Sequence, residues 1–253
     1  MISTSYWYLN WIPRLTTSIK LLLTDFTKEC GQTHSFYVRG VLMATKAEKK
    51  EVLRQDIIMS AQTYSNTLAG RNFLYVYGNE YFEVSFPTDC FLHLTGVETY
   101  LSAKDFYKIS KKGILTNSQF YFSSRFPFAN AKKKLPCLKR LPELTNDFVC
   151  ILKDMQTIKL TYKLSVTNLE FTLGLTESID KNANRIDNLF LPMSLRVEES
   201  SVERSADGEI VDFIFSKDAS VAKYDVLLVK DERKIIPECV RQLLNDTLLK
   251  QYA

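Results

Sequence analysis

The sequence lacks a hydrophobic run long enough to cross a bilayer, which takes about 20 apolar residues. Its best stretch, residues 19–23, is interrupted by Lys20 and followed by Asp25. The first residues also lack the positive region and long apolar stretch of a signal peptide. We therefore expect a cytoplasmic protein that does not bind to a membrane.

Metal-binding and redox residues are scarce. The five cysteines are odd in number and widely spaced, without a Cys-x-x-Cys pair, which is typical of reduced thiols in the cytoplasm. Only two histidines, His34 and His93, are present, which excludes a multi-histidine metal site. Asp225 upstream of Glu232-Arg233-Lys234 has a spacing used by metal-dependent nucleases, but such short matches are common by chance. We expect no metal and no cofactor.

Positive charge is concentrated in one segment. The whole chain carries a formal charge of +4, whereas residues 102–140 carry +9 and the remainder −5. This charge separation is typical of proteins that bind polyanions such as nucleic acids. The predicted nucleic-acid-binding cations are Lys104, Lys108, Lys111, Lys112, Arg125, Lys132, Lys133, Lys134, Lys139 and Arg140.

Aromatic residues alternate with these cations, and aromatic rings can stack on the bases of a single strand. The alternative interpretation is a solvated basic loop that covers ordinary core aromatics. The aromatic residues of the segment are Phe106, Tyr107, Phe120, Tyr121, Phe122, Phe126 and Phe128.

Helical patterns come before strand patterns along the chain. An apolar stripe at helical spacing predicts a helix over residues 46–69. Two strands, 73–77 and 81–86, follow around the turn signal Gly78-Asn79. Ser102 is a suitable N-cap for a helix that carries four of the lysines.

The second half alternates apolar and polar residues, which predicts a run of mainly antiparallel strands. Pro237 starts one last helix. These patterns predict an α+β fold, with N-terminal helices packed on a curved, mainly antiparallel sheet and a C-terminal helix. We expect an aromatic-rich extension over residues 1–40 and a single domain over residues 41–253.

His93 is the strongest candidate for acid–base chemistry, because imidazole titrates near neutral pH. It follows a strand pair and precedes the basic helix, in a stretch that we expect to be a loop. The alternative is a histidine that caps a turn or bonds to the backbone.

The stretch Phe91-Leu92-His93-Leu94-Thr95-Gly96-Val97 and the following Ala103-Lys104-Asp105-Phe106-Tyr107 resemble a phage-associated group of the Barnase–EndoU–colicin–RelE-like nucleases. So do the strands Leu191-Pro192-Met193-Ser194-Leu195 and Ile214-Phe215-Ser216-Lys217, the second followed by Tyr224. The resemblance covers about residues 50–230. It is most specific at the His-Leu-Thr-Gly sequence.

This resemblance implies a metal-independent ribonuclease, in which the ribose 2′-hydroxyl attacks the adjacent phosphate. His93 would act as general acid or base, and Thr95 would orient it or bond to phosphate. Ser194 and Arg196 share a strand face, and Arg196 would clamp a phosphate. Lys217 would add charge, and Tyr224 would donate a proton or stack on a base.

Two functions from different classes remain open at this point. The first is a phage or prophage RNA endonuclease that acts in host takeover, in defence or as a toxin. The second is a non-catalytic protein that binds RNA or inhibits a host protein through its basic face. The expected partner is RNA, with a host protein or a cognate inhibitor as the alternative.

Overall fold

The computed structural model describes residues 45–157, 161–197 and 208–252. The aromatic-rich extension expected over residues 1–40, with His34 in it, lies outside these ranges. Within them, no helix is both long and apolar enough to span a membrane.

The long first helix, α1, spans Lys46–Thr67, close to its prediction. It starts at a capping box, in which the Thr45 hydroxyl accepts from the Glu48 N–H and the Glu48 carboxylate accepts from the Thr45 N–H. Its apolar stripe packs onto the sheet. The buried residues of this stripe are Leu53, Ile57, Ala61 and Tyr64, continued by Leu68 just past the helix end.

A curled, mainly antiparallel sheet of nine strands forms the body of the described chain. Its strands are β1 (Arg71–Tyr77), β2 (Glu80–Ser85), β5 (Cys150–Gln156), β6 (Thr161–Thr167), β7 (Thr172–Ile179), β8 (Arg185–Arg196), β9 (Glu209–Ile210), β10 (Phe213–Asp218) and β11 (Val226–Lys230). They occur in the order β11-β10-β1-β2-β8-β7-β6-β5-β9. A separate two-stranded pair joins β3 (Glu98–Thr99) to β4 (Phe120–Tyr121).

The pairing of β2 with β8 is parallel, whereas the other strand pairs of the described chain are antiparallel. It matches Glu83 with Leu189 and Val84 with Phe190. This pairing connects the early hairpin β1–β2 to the later meander β5–β8, so one sheet contains both halves of the described chain.

Helices cover one face of the sheet around a core rich in aromatic rings. These helices are α1, α2 (Phe91–Thr95), α3 (Ala103–Lys111), α4 (Phe128–Lys139) and α5 (Glu143–Asn146). The Tyr64 ring has its centroid 6.0 Å from that of Phe86, 5.5 Å from Phe91 and 5.8 Å from Tyr107. Edge-on contacts of this kind fix the positions of α2 and α3 against α1.

The opposite face of β1 and β10 has a second core, formed by alternate residues such as Leu74 and Phe215. It packs on two short helices, α6 (Glu238–Arg241) and α7 (Asp246–Tyr252), where the sequence predicted a single helix. The break falls at Asn245, whose side-chain oxygen accepts from the Leu248 N–H at 2.9 Å and so starts a new helix. The fold class is α+β, as predicted.

Candidate functional site

His93 lies on the short helix α2, where the sequence predicted a loop. Phe91 and Leu94, three positions apart, are fully buried against the core and so hold this turn helical. Gly96 ends it in the left-handed conformation, with φ +75°. His93 falls on the outer side of α2 and is exposed.

Thr95 is fully buried at the end of α2. Its hydroxyl donates to the Leu92 carbonyl at 2.7 Å and accepts from the Val97 N–H at 3.4 Å. Both bonds are local, so Thr95 fixes the helix end that carries His93. A direct bond from this hydroxyl to phosphate, one of the two roles expected for it, does not fit its burial.

Helix α2 contacts both basic helices, α3 and α4, and also strand β8. The contact with α4 is close, because a Cβ built on Gly96 would lie 3.1 Å from Lys134 Cδ. The elements that carry His93, the lysines and Arg196 are therefore packed together, although they are distant in sequence.

Eight of the ten cations of residues 102–140 have no ion-pair partner within the described ranges. The two exceptions are at the end of α4 and beyond it: Lys139 pairs with Asp56 at 2.8 Å, and Arg140 pairs with Glu143 and Glu170. Helix α3 starts as predicted, with the Ser102 hydroxyl accepting from the Asp105 N–H. The eight unpaired cations are Lys104, Lys108, Lys111, Lys112, Arg125, Lys132, Lys133 and Lys134.

Most of the aromatic residues between these cations belong to the core. Phe106 and Phe120 are almost completely buried, and Tyr107 is 6 % exposed, so none of the three presents a ring face to a ligand. Sequence reasoning missed Tyr100, which is 80 % exposed. Its ring stacks on that of Tyr121, with centroids 4.6 Å apart, and it lies just before the basic helix α3.

Strand β8 ends with two of the predicted site residues. Ser194 pairs with Gly174 and Arg196 with Thr172, so both side chains lie on one face of the strand. The Arg196 Nη2–H donates to the Tyr162 hydroxyl at 3.0 Å, and the guanidinium lies 5.7 Å from the Tyr162 ring centre.

Tyr162 was also missed in the sequence. A Cβ on Gly174 would lie 2.8 Å from the Tyr162 ring, so this position in β7 must be glycine for the ring to lie there. The signal that could have found it is a glycine inside a strand, which often marks a close approach.

Lys217 and Tyr224 form a different cluster. The Tyr224 hydroxyl donates to the Glu83 carboxylate, and burial raises the Tyr224 pKa well above its ordinary value. Lys217 Nζ donates to the Ala222 carbonyl and lies over the Tyr224 ring at 4.6 Å.

This cluster is remote from Arg196. Glu83 pairs with Leu189, seven residues before Arg196 along β8. That length of strand spans on the order of 20 Å. Tyr224 and Arg196, to which the resemblance gave roles in one reaction, therefore lie apart, and the buried Tyr224 hydroxyl is bonded to Glu83.

The acidic residues just after β11, where the sequence showed a spacing used by metal-dependent nucleases, form ion pairs with their neighbours. Arg233 pairs with Asp231 at 2.9 Å, and Lys230 pairs with Glu232 at 2.9 Å. The hydrogen bonds from Arg233 lower the Asp231 pKa to about 2. In the described ranges, no three His, Cys, Asp or Glu residues are grouped as metal ligands would be.

Comparison with known proteins identifies the family. The sequence matches the family described as phage-Barnase-EndoU-ColicinE5/D-RelE like nuclease4 over residues 56–233. No curated protein and no solved structure matches the chain. The matched range includes α2 with His93, both basic helices and the nine strands of the large sheet, and it agrees with the resemblance of the His-Leu-Thr-Gly sequence. The chain therefore belongs to the phage-associated Barnase–EndoU–colicin–RelE-like nucleases.

Proposed function

We propose that the protein is a metal-independent RNA endonuclease in which His93 acts as general acid or base. The observation that carries this proposal is the position of His93: it is exposed on α2, the helix that contacts α3, α4 and β8. Membership of a nuclease family supports cleavage of a nucleic acid.

The chemistry requires a proton acceptor, a proton donor and positive charge. The ribose 2′-oxygen forms a bond to phosphorus and loses its proton to a base, while the bond from phosphorus to the 5′-oxygen breaks and that oxygen gains a proton. The products are a 2′,3′-cyclic phosphate and a 5′-hydroxyl. An exposed imidazole can perform either proton transfer.

Charge on the crowded phosphorane is stabilised by cations that are already in place. The unpaired lysines of α3 and α4 can supply it without a metal ion, because no carboxylate of the described chain neutralises them. RNA is the preferred substrate of this mechanism, since DNA lacks the attacking 2′-hydroxyl.

The test is incubation of the full chain with total RNA in EDTA, followed by analysis of the fragment ends. We expect cyclic phosphate ends from the wild type and no effect of EDTA. His93→Ala and His93→Gln should each lower the cleavage rate about 10²–10⁴-fold, the contribution of a general acid or base. Gln62→Ala, an exposed change on α1, is the control and should cleave normally.

Two outcomes would contradict the proposal. Cleavage that is lost in EDTA but retained in His93→Ala would show that a metal ion, and not the imidazole, drives the reaction. Tight RNA binding without cleavage would instead support a non-catalytic RNA-binding or host-inhibiting protein that uses the same basic residues.

A further inference from the structure

A small pocket lies between α4 and the end of β8. It has a volume of ≈ 50 Å³. Since about 10–15 Å³ is enough for one water molecule, this space accommodates a compact tetrahedral group. The lining residues are Asn130, Lys133, Lys134, Leu195, Arg196 and Val197.

Two half-buried cations, Lys134 and Arg196, face each other across this pocket without a carboxylate between them. Neither has an ion pair with any residue in the described ranges. Burial, and then the nearby charge of Arg196, lower the Lys134 pKa to about 8. A pair of like charges that burial brings together is unfavourable, and a bound anion would relieve that repulsion.

The Arg196 guanidinium is held in one orientation by Tyr162 and has a donor to spare. Its Nη2 is bonded to the Tyr162 hydroxyl, whereas its Nε is buried and has no hydrogen-bond partner in the described chain. A buried N–H without an acceptor is costly, so this free donor favours the binding of an oxyanion. A guanidinium offers parallel N–H groups that match two oxygens of a phosphate.

We propose that this pocket, between α4 and the end of β8, binds a single phosphate group of the RNA backbone through Lys134 and Arg196. That this phosphate belongs to RNA rests on the proposed function. The binding of a tetrahedral oxyanion is inferred from the pocket itself. Lys134 contributes a point charge, and Arg196 contributes directed hydrogen bonds. Asn130 lines the same pocket and can donate from its amide.

The groups around Lys134 determine how binding should depend on pH. Arg196 faces it from β8 and Lys133 from its own helix, while α2 contributes Gly96 and carries His93. From α1, Asp56 is already paired with Lys139. Lys134 is the pocket cation whose charge should change between pH 7.5 and 9.5, because burial and the nearby Arg196 lower its pKa to about 8.

The first experiment measures sulfate binding to the full chain by calorimetry, because the charge of sulfate is constant over this pH range. Lys134 loses its proton as pH rises through about 8, so wild-type affinity should fall across the window. Lys134→Gln and Arg196→Lys should each lower the affinity at pH 7.5 about tenfold. Lys134→Gln should also remove the pH dependence.

A control and a stability measurement keep this test decisive. Lys181→Gln changes an exposed lysine in the turn between β7 and β8 and should leave sulfate binding unchanged. Lys134→Gln removes a repulsive charge, so it should unfold thermally at or above the wild-type temperature. Equal sulfate affinity in the wild type and both pocket variants would overturn the site.

A second measurement identifies the source of the phosphate. A 2′-O-methyl RNA, which cannot be cleaved, should be displaced by sulfate from the wild type, and both pocket variants should bind this RNA more weakly. Sulfate that binds in the pocket without competing with RNA would overturn the assignment to an RNA phosphate. Since neither measurement requires cleavage, the phosphate site can stand or fall separately from the nuclease activity.

Discussion

Gly96 lies directly against the aliphatic part of Lys134, a residue of the anion pocket. Gly96 also ends α2, the helix that carries His93. Any side chain at position 96 would meet Lys134 Cδ at 3.1 Å and the Ala131 backbone at 3.5 Å. The space for the lysine and the end of the helix therefore depend on the same residue.

Gly96→Ala should reduce both the stability of the protein and its affinity for sulfate. Its φ of +75° is unfavourable for alanine, by about 1–2 kcal/mol, and the new methyl group would displace Lys134. Gly113→Ala is a matched control, because Gly113 also has φ +75° but a Cβ at this position would have no other atom within 4 Å. Both variants should lose similar stability in urea unfolding, and only Gly96→Ala should bind sulfate more weakly. Equal sulfate binding in the two would contradict this.

Reversing two exposed lysines of α4, Lys132→Glu with Lys133→Glu, should weaken RNA binding and flatten its dependence on salt. The slope of log K against log salt is negative. For each phosphate that the protein no longer neutralises, its magnitude should decrease by about 0.7 on single strands. The measurement is a salt series with 2′-O-methyl RNA. Lys181→Glu with Lys250→Glu makes the same charge change elsewhere on the surface and should have little effect. Similar slopes for the two double variants would show that net charge alone controls binding.

The stack of Tyr100 on Tyr121 leaves one face of the Tyr100 ring available to a base. Tyr100→Ala should weaken single-stranded RNA binding by about 1–3 kcal/mol, the usual contribution of one stacked base. Tyr100→Phe keeps the ring and should bind normally. Ile235→Ala, at a residue that is 81 % exposed, controls for the loss of surface area. An equal effect of Tyr100→Ala on duplex RNA would contradict stacking, because paired bases have no free face.

Tyr224→Phe should affect folding more than cleavage. Removing the hydroxyl leaves the Glu83 carboxylate without its donor, which should destabilise the protein by about 1–3 kcal/mol. Tyr81→Phe is the control, because the Tyr81 hydroxyl makes no hydrogen bond within the described ranges. Urea unfolding and the cleavage rate at saturating RNA separate the two effects. A large loss of cleavage in a stably folded Tyr224→Phe would restore its predicted role as a proton donor.

Local patterns predicted local structure well. The stripe that ends at Leu68 identified α1, and Gly78-Asn79 identified the hairpin, because helical and strand periodicities are encoded by neighbouring residues. The short helix α2 was missed since a single turn contains too few positions to show a period. Asn245 caps α7 and so divides the predicted last helix into two. The sequence contains this capping residue, but the regular apolar spacing indicated one continuous helix.

The site was harder to predict because its parts meet only through the tertiary fold. The resemblance predicted Arg196 as a phosphate ligand, whereas its bond to Tyr162 could not be predicted because it depends on the alignment of three strands. The separation of Tyr224 from Arg196 could not be predicted for the same reason, since sequence gives no distance along a sheet. Burial of Phe106 and Phe120 likewise depends on tertiary packing, since α1 contacts α3 and Lys50 of α1 lies over the Phe120 ring.

The parallel pairing of β2 with β8 has a consequence for synthesis on the ribosome. It joins residues that are more than 100 positions apart, so the hairpin β1–β2 is made long before its neighbour in the sheet. Contacts this distant in sequence form late, because a long loop must close first. Lys134 in a nascent chain has no Arg196 opposite it until 62 further residues have been translated. The anion pocket therefore cannot form until both Lys134 and Arg196 have been synthesised.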